Sequence, residues 1–327
     1  THNDALIVAG GANFALPVWD NDKVWHDAIH VLVNEGTNQV WKTGGQLPRA
    51  TAYGGAVSTP EGVLCIGGND STRAFDQVFL LSWDVETATV TTTDYPSLPS
   101  PCAFTQAALM GGKVYVVGGQ SGNGLDSAMN NFWVLDLSKK GSSDFGWTEG
   151  TPFPGTTRAF NIVASQHNGF RDCLYVISGR RQVGDDTEFL SDVWEYDPFK
   201  DAADPATAWR QRADAPRSIM AGTGIAQGQS HLLVLGGADG SLWGQANILK
   251  DDHPGFPKEI LAYHTITDSW TPMGTMPANH VTTVLVKWNG GIIVPSGEVR
   301  PRVRSPQIWK VTTIKPSRDF GTVNYIM

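Results

Sequence analysis

The stretch Ser296-Gly297-Glu298-Val299-Arg300-Pro301-Arg302-Val303-Arg304-Ser305-Pro306 sets one carboxylate among three guanidiniums within eleven residues. In an extended chain successive side chains point to opposite faces, so Glu298, Arg300, Arg302 and Arg304 share one side. Three adjacent guanidiniums repel unless something anionic sits among them. Glu298 is one source of that charge, and a ligand carboxylate is another. The planar fork of arginine grips a carboxylate in bidentate fashion, which suits it to the second arrangement.

The elements that must hold this stretch are legible from a repeat. An apolar run closes on a glycine doublet or its near equivalent six times, at Gly10-Gly11, Gly67-Gly68, Gly118-Gly119, Ser178-Gly179, Gly236-Gly237 and Ser296-Gly297. A fixed period of roughly 50 to 60 residues marks an architecture of repeated supersecondary units, none able to bury its apolar face alone. Each unit follows the same order: ATAYGGAV, GVLCIGG, DQVFLLSWD and TVTTTDYPSLP in one, CAFTQAAL, KVYVVGG, NFWVLDL and WTEGTPFP in the next. Short β-branched and aromatic runs between Gly, Pro, Asn and Asp predict four antiparallel strands per unit, a to d from the inside out. Tryptophans of strand d (Trp41, Trp147, Trp209, Trp270) are followed by Pro48, Pro154, Pro216 and Pro277, and their rings can fill the wedge between blades.

With the glycine doublets, this pattern resembles the kelch repeat. It implies an all-β, six-bladed kelch-type β-propeller, one domain spanning residues 1–327. The first unit lacks strand a, and the tail FGTVNYIM has no unit of its own. We expect the tail to join the first blade as its inner strand and close the ring, which removes exposed edges.

In such a blade the d-to-a and b-to-c connections lie at one end, so residues just before strand a and just after strand b surround one mouth. The first set reads Arg49, Pro101, Arg158, Arg217 and His280. The second includes Asn13, Asn69, Gln120, Arg180, Asp239 and Glu298. Convergent polar groups in a concave mouth are the default binding hypothesis. Candidate ligand-binding residues are therefore Asn13, Arg49, Arg158, Arg180, Arg217, His280, Arg300 and Arg302 beside Glu298 and Arg304.

The segment from Ser296 through Arg304, together with GGANF, SDVWEYDP and PRATAYGG, resembles the N-acetylneuraminate epimerase family, the sialic-acid mutarotases, in a cyclically permuted order. The resemblance implies a cofactor-independent isomerase that interconverts the α and β anomers of a sialic acid. It maps catalysis to Glu298 and Arg304, with Arg304 holding the C1 carboxylate and Glu298 moving the proton. It also points to a periplasmic or secreted setting, which the non-Met start at Thr1 fits. The alternative is a non-enzymatic propeller whose loops bind a protein or a glycan.

Other features are weaker. Ser142 through Thr148 match the sialidase Asp box once, where a sialidase repeats it, so a turn is expected. His26 and His30 have zinc-like spacing but sit on a predicted strand, where four residues span roughly 13 Å. Cys65, Cys102 and Cys173 read as small buried strand residues, and no metal or cofactor site is expected. A net charge of −8 offers no basic stripe for nucleic acid, and no run approaches the ~20 apolar residues of a membrane helix.

Overall fold

The computed structural model describes residues 1–278, 280–312 and 322–326. Its strands form five four-stranded antiparallel sheets, one three-stranded sheet and a two-stranded ribbon. The six sheets are the blades of a β-propeller, with the inner strands of the second to fifth blades side by side. The first blade opens with β1 (Leu6–Ala9), sends out the ribbon of β2 (Ala12–Phe14) and β3 (Lys23–Trp25), and returns as β4 (Ala28–Glu35) and β5 (Asn38–Gln46). The second blade shows the complete pattern: Gly55–Thr59, Gly62–Ile66, Val78–Asp84 and Thr89–Tyr95, from the inside out.

Covalent order and burial agree within each blade. The middle strands Gly62–Ile66 and Val78–Asp84 are almost wholly apolar and buried, because neighbouring blades cover both of their faces. The outer strand Thr89–Tyr95 is threonine-rich and mostly exposed. Between blades the core is continuous: Ile162, Ile177 and Val193 of the fourth meet Leu232, Val234 and Leu261 of the fifth. Three outer-strand tryptophans reach back to the preceding blade, where the indoles of Trp147, Trp209 and Trp270 donate to the carbonyls of Pro96, Thr151 and Ala213 at 2.9, 3.0 and 3.1 Å.

The glycine signature has a steric cause. At Gly67, φ is +60° and an added Cβ would lie 2.1 Å from the carbonyl oxygen of Cys102 in the connection entering the next blade. The following N–H, from Gly68, donates to that same carbonyl at 2.8 Å and stitches the two blades together. Ser178 and Ser296 keep the positive φ and use their hydroxyls instead, donating to Leu190 and Ser305 carbonyls.

Ring closure differs from the sequence expectation. Strand Thr322–Ile326 does not join the first blade; it pairs with Val303–Thr312 as the outermost strand of the sixth, Ile308 opposite Ile326. The remaining tail positions 320, 321 and 327 lie outside the described residues. QIWKVTT belongs to the third strand of that blade rather than to its end, and Thr322–Ile326 completes the sheet by antiparallel pairing with it. β1 therefore has no inner neighbour among the described residues. The seam between first and sixth blades is held by packing of Leu6 and Leu32 on Trp288, Ile293 and Ile308. The Trp288 indole donates to the Asp4 carbonyl at 3.0 Å, and the Asn34 and Asn289 side chains exchange bonds of 2.9 Å.

Candidate active site

One backbone pairing recurs around the ring and fixes the mouth. Ala52 bridges Asn69, Ala103 bridges Gln120, Ala159 bridges Arg180, Met220 bridges Ala238 and Val281 bridges Glu298. The entry to each inner strand thus lies beside the end of the next strand, as the alternation predicts. The residues that follow each entry, Tyr53, Phe104, Phe160, Ala221 and Thr282, all have φ between +55° and +60° and line a central cavity of about 620 Å³. On one side Tyr53, Phe104 and Phe160 form an arc, with neighbouring ring centroids 4.8 and 4.6 Å apart. The cavity volume falls within the usual range for small-molecule sites.

Glu298 and Arg304 stand opposite each other on the paired strands Gly291–Arg300 and Val303–Thr312. Their side chains form an ion pair and are largely buried, with 17% and 15% of their surfaces exposed. Arg304 also donates through Nε to the Ala12 carbonyl at 2.9 Å and through a terminal nitrogen to the Tyr53 hydroxyl at 2.7 Å. Glu298 accepts the Arg302 backbone N–H at 2.9 Å. Burial opposes the Arg304 charge, but the Glu298 carboxylate and Tyr53 outweigh it and hold the guanidinium above its ordinary pKa.

The shared face expected for the four charged side chains does not form. The strand pair is irregular between Glu298 and Arg300, and the chain turns at Pro301-Arg302, where Arg302 has φ +69°. Arg300 turns away to an ion pair with Asp251 at 2.8 Å. Arg302 donates to the Asn21 carbonyl at 2.6 Å and lies over Phe14, 4.2 Å from its centroid. Asn13 borders the same cavity and bonds His26 at 2.8 Å.

The other mouth residues divide by partner. Arg158 is completely buried and grips Asp192 with two bonds of 2.8 and 2.7 Å, plus the Ser178 carbonyl at 3.0 Å. Its guanidinium faces protein on every side. Arg217 pairs with Glu259 at 3.2 Å and caps the Ser218 carbonyl. His280 is 3% exposed; its ring bonds the Ser296 carbonyl through Nδ1 and accepts the Trp309 indole N–H at Nε2, 3.2 Å. Burial pushes its pKa below the ordinary imidazole value, so it is neutral with both nitrogens occupied. Arg49 lies over Phe75 at 4.6 Å. Arg180 sits between Phe160 and Trp243, 4.5 Å from each centroid, without a carboxylate partner among the described residues, and desolvation lowers its pKa to about 10.

The sequence reading missed Tyr53 and the ribbon residues Phe14, Lys23 and Trp25. Tyr53 stands at the ring position shared by Phe104 and Phe160, a register the repeat contains but single motifs do not display. The Asp-box segment is a turn in which Lys139 pairs with Asp144 at 2.7 Å. His26 precedes strand β4, which carries His30. No helix among the described residues is long and apolar enough to cross a membrane.

A family model for N-acetylneuraminate epimerase matches residues 95–253. The chain is related to the N-acetylneuraminate epimerases. The epimerase of Haemophilus influenzae is 24% identical over 236 residues, which covers 65% of this chain and 58% of that protein. The chain thus spans little more than half the length of that epimerase. The epimerase of Brucella suis is 41% identical over 93 residues, 25% of this chain and 23% of its own length. Among solved structures, that of YjhT superposes with a TM-score of 0.69 at 16% identity, covering 98% of this chain and 95% of the other, a likeness of fold.

Proposed function

We propose that this chain is a cofactor-independent mutarotase that accelerates α/β anomer exchange of N-acetylneuraminate. The observation that carries the reading is the Glu298–Arg304–Tyr53 constellation, in which Arg304 and Tyr53 line the central cavity and Glu298 is ion-paired to Arg304. The epimerase names of its relatives supply the substrate class.

Anomer exchange needs a base for the anomeric hydroxyl and an acid for the ring oxygen. Glu298 takes the anomeric proton while the Tyr53 hydroxyl protonates the ring oxygen, and the bond between that oxygen and the anomeric carbon breaks to give the open-chain ketone. After rotation the same steps run backwards: the freed hydroxyl returns its proton to Tyr53 as it attacks, and Glu298 protonates the ketone oxygen. Arg304 orients both groups. Because it donates to the tyrosine oxygen, the phenolic hydrogen is directed elsewhere and the transient phenolate is stabilised. Asn13 and Arg302 border the sugar, and the aromatic arc offers its apolar face a platform. On the same resemblance the blades are kelch repeats in one domain, and the setting is periplasmic or secreted.

N-acetylneuraminate should raise the melting temperature by mass action, its binding adding about 2.7 kcal/mol of stability at a free concentration about a hundredfold above Kd. No shift with this or any other acidic sugar would favour a propeller that only docks a protein or glycan.

A further inference from the structure

Arg304 is poorly placed to be the whole grip on an anionic substrate. Its charge is already neutralised by Glu298, and its Nε and one terminal nitrogen are spent on Ala12 and Tyr53. A carboxylate entering beside this pair meets Glu298 as a like charge. Arg302 is committed to the Asn21 carbonyl, Arg300 to Asp251, and Arg158 to Asp192, while Arg180, which has no carboxylate partner among the described residues, is held between Phe160 and Trp243 rather than against Tyr53. A second positive charge, free of protein anions and close to Tyr53, is needed to offset the repulsion.

Lys23 meets that description. The ribbon register sets it opposite Phe14, and Trp25 follows two residues on along β3. Its ammonium lies 5.5, 5.6 and 5.1 Å from the ring centroids of Phe14, Trp25 and Tyr53. Aromatic faces hold a cation in place without cancelling its charge. No hydrogen bond or ion pair occupies this ammonium among the described residues. Tyr53 is also the ring whose hydroxyl Arg304 engages, so the free ammonium and the Glu298–Arg304 pair converge on one side chain.

Resting on the mutarotase reading, we propose that Lys23 is the residue that binds the substrate's carboxylate, leaving Arg304 to position Glu298 and Tyr53. Lys23 is then a specificity residue for 2-keto acid sugars. The neutral methyl ester of N-acetylneuraminate, which keeps the free anomeric hydroxyl, gains nothing from it.

The test compares wild type, Lys23→Met and Lys23→Arg by exchange NMR on the acid and on its methyl ester. Methionine keeps an unbranched side chain among the three rings. A lost charge-assisted bond should raise KM for the acid about tenfold or more in K23M. KM for the ester should hold, and K23R should recover most of the loss. An active wild type with unchanged acid KM in K23M overturns the assignment, as does an equal loss on acid and ester, which is the mark of a packing role. A wild type that leaves exchange at its spontaneous rate sinks the mutarotase reading instead. In that case the Lys23 assignment stands only if the acid still raises the melting temperature of wild type, and not of K23M.

Discussion

Arg158→Met separates an arginine that serves the fold from one that serves a ligand. The sequence places Arg158 at the mouth among the binding groups, whereas its guanidinium is fully buried against Asp192. Removing one partner of a buried ion pair costs about 3–5 kcal/mol, because the other charge is left uncompensated. With an unfolding entropy of about 2.1 cal/mol/K per residue, that is a fall in melting temperature of roughly 4–7 °C for a chain of this length. The pH dependence adds a second signature. Burial tends to raise the Asp192 pKa, but Arg158 and the Trp194 indole outweigh it and hold the carboxyl below its ordinary value. That stabilisation is present above the unfolded carboxyl pKa of about 3.9 and is lost as the pH falls through the lower folded value. The gap in melting temperature between wild type and R158M should therefore be widest near neutrality and narrow below about pH 4. Scanning calorimetry across pH, with KM measured on the same samples, checks both parts. An unchanged melting temperature with a raised KM would refute the reasoning and return Arg158 to the ligand.

Tyr53→Phe keeps the ring contact with Phe104 but removes the proton donor. General acid catalysis is typically worth about 10²–10⁴-fold, so acceleration should fall to near the spontaneous rate, and a full rate by exchange NMR would exclude the acid role. Ending the chain after Thr312 removes the outer strand of the sixth blade. With each hydrogen bond worth about 1 kcal/mol, the melting temperature should drop by several degrees while unfolding stays a single transition; loss of cooperativity would favour a tail that closes the ring.

Repetition made the propeller legible. Four doublets end their strands, and the Ser178-Gly179 and Ser296-Gly297 signatures shift the register within theirs. The mouth follows from strand alternation: Asn69, Gln120, Arg180 and Glu298 are found beside inner-strand entries, with Ala238 in that place in the fifth blade rather than the expected Asp239. Glu298 and Arg304 were readable because they break the repeat with charge. Two things were not readable. Whether an arginine at the mouth faces the cavity or the protein depends on partners distant in sequence: Asp192 claims Arg158 and Asp251 claims Arg300. A turn at Pro301-Arg302 also separates side chains that simple alternation puts together. Lys23 escaped notice because its surroundings come from a ribbon and a neighbouring blade, three rings that meet only in the fold.

The central claim is that Glu298 moves the anomeric proton of N-acetylneuraminate. The most direct measurement is the anomer-exchange rate of that sugar by NMR, with wild type and Glu298→Gln at equal concentration and matched melting temperature. The account predicts clear acceleration by wild type and the spontaneous rate with E298Q. Equal acceleration by both proteins would contradict it.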